Sequence, residues 1–268
     1  MSPRAMTGVE EFDVREFAAT ARGNHRAQID GEAIAQAGLS TDAVHLIRVL
    51  RDLERGTLDR MRNLLVTATH KDARVTAFLA TWAFEKFWVA DALDAVLEAV
   101  GAETSPLAGP LRTSLSERAE RRGPIRRAIA GNIAGADIVA GHVATGLVDE
   151  LITQVAYRRL GEAASVLSSV VAILAAVKER HVAFLAEEAE HKLAASARAV
   201  RLAKKAIAQA AWPIGATTIP AADRTFFETF VFGDAEGRTA AEAIGSRLAA
   251  LPGLGIAQGA SVVARLAS

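Results

Sequence analysis

The chain has no cysteine, which excludes disulfides and any thiolate metal site. It has no excess of charge either, with 31 basic against 31 acidic side chains in 268 residues. A nucleic-acid-binding domain ordinarily carries a basic excess, so nucleic acid is not an expected partner. No long apolar run stands out. The weakly polar stretch from Ala128 to Val148 contains Asn132, Asp137 and His142 and is rich in Gly and Ala, which suits a closely packed helix inside protein and not a membrane span. The first residues, Met1 to Phe17, hold Arg4, Glu10, Glu11, Asp13, Arg15 and Glu16 around no apolar core. They do not read as a signal peptide, and the cytoplasm is the expected compartment. Aromatics are scarce, a bias that together with plentiful alanine fits a helical protein. The length suffices for one large or two small domains with a sizeable core.

Periodicity then divides the chain. Residues 1–40 mix charges with Gly23 and Gly31 and predict an arm over the body, with a short helix near Asp30–Gln36. Ser40, Thr41 and Asp42 supply N-cap chemistry. Helix A follows over roughly 41–69, with the stripe Ile47, Leu50, Glu54, Leu58, Met61, Leu65, Ala68. After the short break His70-Lys71-Asp72, helix B over roughly 72–100 runs antiparallel to A, and Gly101 ends it. Its stripe is Phe78, Trp82, Glu85, Val89, Leu93, with Trp88 assigned to the face of Glu85. Residues 101–124 hold Pro106, Gly109, Pro110, Gly123 and Pro124 and read as a long connection. Arg112, Arg118, Arg121, Arg122, Arg126 and Arg127 crowd into and just past it, against Glu117 and Glu120; the plain reading is a solvated crossover, the functional one a contact for an anionic partner. Helix C (roughly 125–160) shows Val143, Leu147, Glu150, Gln154, Tyr157. Helix D (roughly 163–208) shows Leu167, Val171, Leu174, Lys178, His181, Leu185, Glu188. Residues 41–211 thus form one bundle, and 212–268, with two short helical patterns split by Leu251-Pro252-Gly253-Leu254, a C-terminal helical appendage.

Charged residues inside apolar stripes are costly unless compensated. Here they recur on all four helices: Glu54 on A, Glu85-x-x-Trp88 on B, Glu150 on C, Lys178-x-x-His181 on D. Glu54 to Glu85 and Glu150 to Lys178 span nearly equal lengths, so the two halves repeat as antiparallel pairs. In this the chain resembles the ferritin-like superfamily of di-iron carboxylate proteins, which includes ferritins, acyl carrier protein desaturases and the small subunit of ribonucleotide reductase. That family places one glutamate on each of two helices and Glu-x-x-His on each of the other two. The resemblance implies an all-α, ferritin-like antiparallel four-helix bundle with a long B–C crossover. It also implies a metal site at Glu54, Glu85, Glu150 and His181.

Two ligand positions depart from the family pattern. Trp88 stands where helix B should offer histidine, and Lys178 where helix D should offer glutamate. Tryptophan has no lone pair for a metal, and an ammonium has three donors and no acceptor. The expected site is therefore vestigial and without a cofactor. Lys178 compensates Glu85, and Trp88 fills the space of the lost metal and imidazole. A shifted register using Glu188-x-x-His191 is the alternative pairing on helix D, although His191 turns away from His181. His25, His45, His70 and His142 share no stripe with the glutamates and read as surface or ordinary packed residues. The function this implies is a non-catalytic binding or scaffold protein, with an unidentified protein partner or small ligand and a homodimer as candidate associations. The alternative is an iron- or manganese-dependent oxidase or hydroxylase of a small or lipid-like substrate.

Overall fold

The computed structural model describes residues 11–107 and 135–267. The arginine-rich run and the expected beginning of helix C, residues 125–134, lie outside those residues. Among the described residues the chain is all-helical, with no strand. Two short helices, α1 (Val14–Ala19) and α2 (Gly31–Ala37), precede α3 (Thr41–Arg55), α4 (Thr57–Leu65) and α5 (Ala73–Ala99). Then come α6 (Ile138–Ala163), α7 (Ser168–Ala195), α8 (Ala197–Gln209), α9 (Ala221–Phe232), α10 (Ala235–Ala249) and α11 (Ile256–Leu266). None of the described helices is long and apolar enough to cross a membrane.

Local chemistry sets these boundaries. Ser40 accepts from the Ala43 N–H at the start of α3, Asp72 from Val75 at the start of α5, and Ser196 from Ala199 at the start of α8. Each satisfies an amide that the first turn leaves without a partner. Gly101, at φ 65, ends the helical segment of α5 in the left-handed region.

Two of the expected helices are each divided. Helix A breaks at Gly56, which lies between α3 and α4; glycine is among the weakest helix formers. The stripe loses its register there, and Leu58, expected inside, is 47% exposed. Helix D breaks at Ser196, whose backbone is extended and whose side chain caps α8 instead of continuing α7.

Contacts along the helices give their directions. From Arg48 through Arg51 to Glu54, the α3 partners fall in number from Glu103 through Asp94 to Lys86, so α3 and α5 run oppositely. Likewise Gly146, Glu150 and Gly161 on α6 meet Leu185, Lys178 and Val171 on α7. The α5 stripe Phe78, Trp82, Glu85, Val89 and Leu93 is buried throughout. The arm lies across this body. Phe17 stacks on Phe78 with ring centroids 5.4 Å apart, and Arg26 pairs with Asp91 and Glu98 on α5.

At the other end α10 and α11 cross closely. A Cβ placed on Gly259 would stand 2.2 Å from the Gly245 carbonyl oxygen. Gly259→Ala must push the two helices apart, and a loss of about 1–3 kcal/mol is expected on urea unfolding. An unchanged midpoint would show that this crossing yields freely.

Candidate functional site

Four helices each deliver one charged side chain to the same buried point. Glu54 comes from α3, Lys86 from α5, Glu150 from α6 and Lys178 from α7. Lys86 Nζ lies 2.9 Å from Glu54 Oε2 and 3.0 Å from Glu150 Oε1. Lys178 Nζ lies 2.5 Å from Glu54 Oε1 and 2.9 Å from Glu150 Oε2. Each carboxylate thus bridges both ammoniums, and each ammonium bridges both carboxylates. The result is a closed four-membered ring of zero net charge, with every side chain at most 1% exposed. Two neutral donors complete it. The Trp82 indole N–H donates to Glu150 Oε1 at 2.7 Å, and the Tyr157 hydroxyl to Glu54 Oε1 at 3.1 Å. Lys86 donates an aligned hydrogen bond to Glu150, whereas Lys178 is held by charge without such alignment.

Glu85 belongs to an adjoining cluster. Its Oε1 accepts from the Arg22 backbone N–H at 2.7 Å and from Arg180 at 3.0 Å. Its Oε2 faces His181 Nε2 at 2.8 Å. His181 Nδ1 approaches Glu150 Oε2 at 3.6 Å, which sets the two clusters side by side. Arg180 also donates to the carbonyls of Phe17 and Thr20, so the arm seals Glu85 from above.

Burial works against the charges of Glu54, Glu150 and Lys178, and the ring overcomes it. Desolvation is the largest influence on Glu54 and Glu150 and opposes their ionisation. Lys178 and Lys86 pull the other way, joined at Glu150 by His181, and the balance holds Glu54 below the ordinary carboxylate value and Glu150 well below it. Lys178 mirrors this: burial disfavours its charge, but Glu150 and Glu54 raise it above the ordinary lysine value. Burial and the Glu54 charge together keep the Tyr157 phenol protonated far into the alkaline range.

The residues present do not fit a metal centre. All four oxygens of Glu54 and Glu150 already contact an ammonium, and an ammonium has no lone pair to share. Among the described residues, no group of three or more His, Asp or Glu side chains is disposed to hold an ion.

Of the residues singled out in the sequence, Glu54, Glu150 and Lys178 meet directly, and Glu85 and His181 lie beside them. Two expectations are corrected. Lys178 pairs with Glu54 and Glu150, not with Glu85, which is met by Arg180, His181 and the Arg22 amide. Trp88 does not enter the cluster. It is half-buried on the arm side of α5, against Phe84, Phe87 and Gly23. The shifted register on α7 does not form a site either, since Glu188 is buried against Arg74 and Lys192 while His191 is exposed.

Sequence reasoning missed Lys86, and with it the donors Trp82, Tyr157 and Arg180. A signal existed: Leu79, Trp82, Lys86 and Leu93 recur at helical spacing, a stripe that overlaps that of Glu85 and shares Trp82 and Leu93 with it. Trp82 has a further role. With Arg60, His142 and Leu185 it lines a pocket of about 440 Å³ next to the ring. None of the family models, curated proteins or solved structures compared with the chain matches it.

Proposed function

We propose that this is a metal-independent, non-catalytic binding protein with a ferritin-like four-helix core. In this reading α3, α5, α6 and α7 are the four helices, and the long connection from α5 to α6 is the crossover. The observation that carries it is the ring in which Lys86 and Lys178 each bridge Glu54 and Glu150. A di-iron site needs carboxylates to offset two cations that arrive from solution. Here the cations are covalent parts of α5 and α7. They balance the same kind of carboxylates permanently and offer no open position for oxygen, water or substrate.

The ring then has a structural use. It neutralises Glu54 and Glu150, and it ties four helices at one depth. Burying such a ring does not by itself confer large stability, because desolvation consumes much of the Coulomb gain. What it confers is registry, since one register alone places all four charges together. Fold likeness does not assign an activity. The function rests instead on binding, for which the apolar pocket beside the ring offers a concavity.

Elemental analysis tests the metal-independent reading. Protein purified without chelators is expected to carry well under one iron or manganese ion per chain, and added Mn²⁺ should leave thermal unfolding unmoved. Close to two ions per chain, or a large Mn²⁺-dependent stabilisation, would overturn the proposal.

A further inference from the structure

The pocket of about 440 Å³ lies between α4, α5, α6, α7, α8, the turn at Thr69 and the segment that follows α8. This falls in the range of small-molecule sites, roughly 300–1,000 Å³. Its inner wall is buried and apolar, with Val75, Phe78, Trp82, Val143 and Leu185, while Gln209 and Thr217 stand exposed at the rim.

The charge on its wall is already balanced. Among the described residues, Arg60 is the one formally charged residue in the lining. Its Nη1 is paired with Asp149, and its Nη2 donates to the Ile214 carbonyl at 2.7 Å. Asp149 in turn accepts from the Ile214 N–H at 2.7 Å. A carboxylate or ammonium entering this space would meet no counter-charge and would lose its water.

One polar group in the wall has capacity to spare. His142 Nδ1 lies 2.8 Å from Thr69 Oγ1. Thr67 Oγ1 lies 2.7 Å from the Leu64 carbonyl, which accepts its single hydrogen. The two threonine hydroxyls are 3.1 Å apart; with the Thr67 hydrogen spent on Leu64, the one arrangement that makes all three hydrogen bonds has Thr69 donate to Thr67. Thr69 Oγ1 is then left to accept, and His142 Nδ1 carries the hydrogen that it accepts. In that arrangement His142 is the Nδ1–H tautomer, and Nε2 keeps a lone pair with no hydrogen-bond donor among the described residues. Burial pushes His142 down to about 4, so the imidazole is neutral near pH 7.

We propose that this pocket binds a neutral, largely hydrocarbon molecule bearing a hydroxyl group, whose O–H donates to His142 Nε2. The assignment deepens the binding role proposed above by naming the ligand class. The probes are 1-naphthol, naphthalene and 1-naphthoate, titrated calorimetrically into the full chain at neutral pH. In wild type, 1-naphthol is expected to bind about two- to tenfold more tightly than naphthalene, the effect of one net hydrogen bond, and more tightly than 1-naphthoate, whose charge must be desolvated. His142→Leu should reduce 1-naphthol to the affinity of naphthalene and leave naphthalene unchanged. Ala210→Trp, which fills the pocket from the residue that caps the end of α8, should abolish both.

Equal binding of 1-naphthol and naphthalene to wild type, or a preference for 1-naphthoate, would overturn the assignment whether or not His142→Leu folds. So would binding that survives Ala210→Trp, or no binding of 1-naphthol at millimolar concentration. Metal-free protein that binds none of the probes sinks the pocket and leaves the metal-independent reading standing. Protein that arrives loaded with two metal ions and still selects 1-naphthol does the reverse.

Discussion

Lys178→Met is expected to lower the unfolding free energy by about 3–5 kcal/mol at pH 7, the usual result of removing one partner from a buried ion pair. Methionine fills most of the lysine volume, so little of the loss comes from a cavity. It comes from Glu54 and Glu150, which must then share Lys86 alone. The loss has a definite pH profile. Glu54 and Glu150 titrate below their ordinary values in the fold. The stability they contribute is present above the unfolded carboxylate value and is lost as pH falls through the folded value. Lys178 titrates above its ordinary value, so its contribution is complete below the unfolded lysine value and is lost as pH rises through the folded one. The wild-type ring therefore acts in full between about pH 5 and pH 10. In the variant, acid can protonate the stranded carboxylates and relieve them. Urea titrations should show the gap between wild type and variant narrowing from pH 7 to pH 4. A gap of the same size at both pH values would mean that Lys178 does not neutralise these glutamates.

The helices were legible because their caps and apolar stripes are local signals. Ser40, Asp72 and Gly101 mark ends that the structure keeps, and the stripe from Phe78 to Leu93 is buried as its spacing requires. The breaks were harder to see. Gly56 and Ser196 each lie inside an unbroken period, and periodicity does not register a change of direction between two amphipathic pieces. Much of the site was legible too, because a charge inside an apolar stripe is conspicuous. Lys86 was not, because α5 is buried over a wide arc against helices on several sides. On such a helix adjacent residues such as Glu85 and Lys86 both point inward, and a single-stripe reading assigns one of them to solvent. Trp88 was misplaced for a related reason. Three residues turn about 300°, short of a full circle. Gly23 on the arm leaves space for the indole on the far side, where even a Cβ would come within 2.5 Å of the ring. That space depends on a residue far away in sequence.

Pairwise replacement within the ring should be strongly non-additive, with a sign that depends on which pair is removed. Lys178→Met alone leaves an excess negative charge, and Glu150→Gln alone leaves an excess positive one. Together they leave Glu54 and Lys86, 2.9 Å apart and neutral as a pair. The double variant should therefore lose less stability than the sum of the single losses, by about 2 kcal/mol, within the range found for residues in one ion-pair network. Lys178→Met with Lys86→Met takes the opposite course. After the first change one ammonium still serves both carboxylates; after the second, Glu54 and Glu150 face each other with no cation. Its loss should exceed the sum of the singles and approach the whole stability of an ordinary domain, about 5–15 kcal/mol. Two such carboxylates share a proton most readily in acid, so this variant should be unfolded at pH 7 and regain helical circular dichroism near pH 4. Additive losses in both double variants, or a double-lysine variant as stable at pH 7 as Lys178→Met alone, would show that the four charges do not act as one ring. The structural basis for a metal-independent core would then be gone.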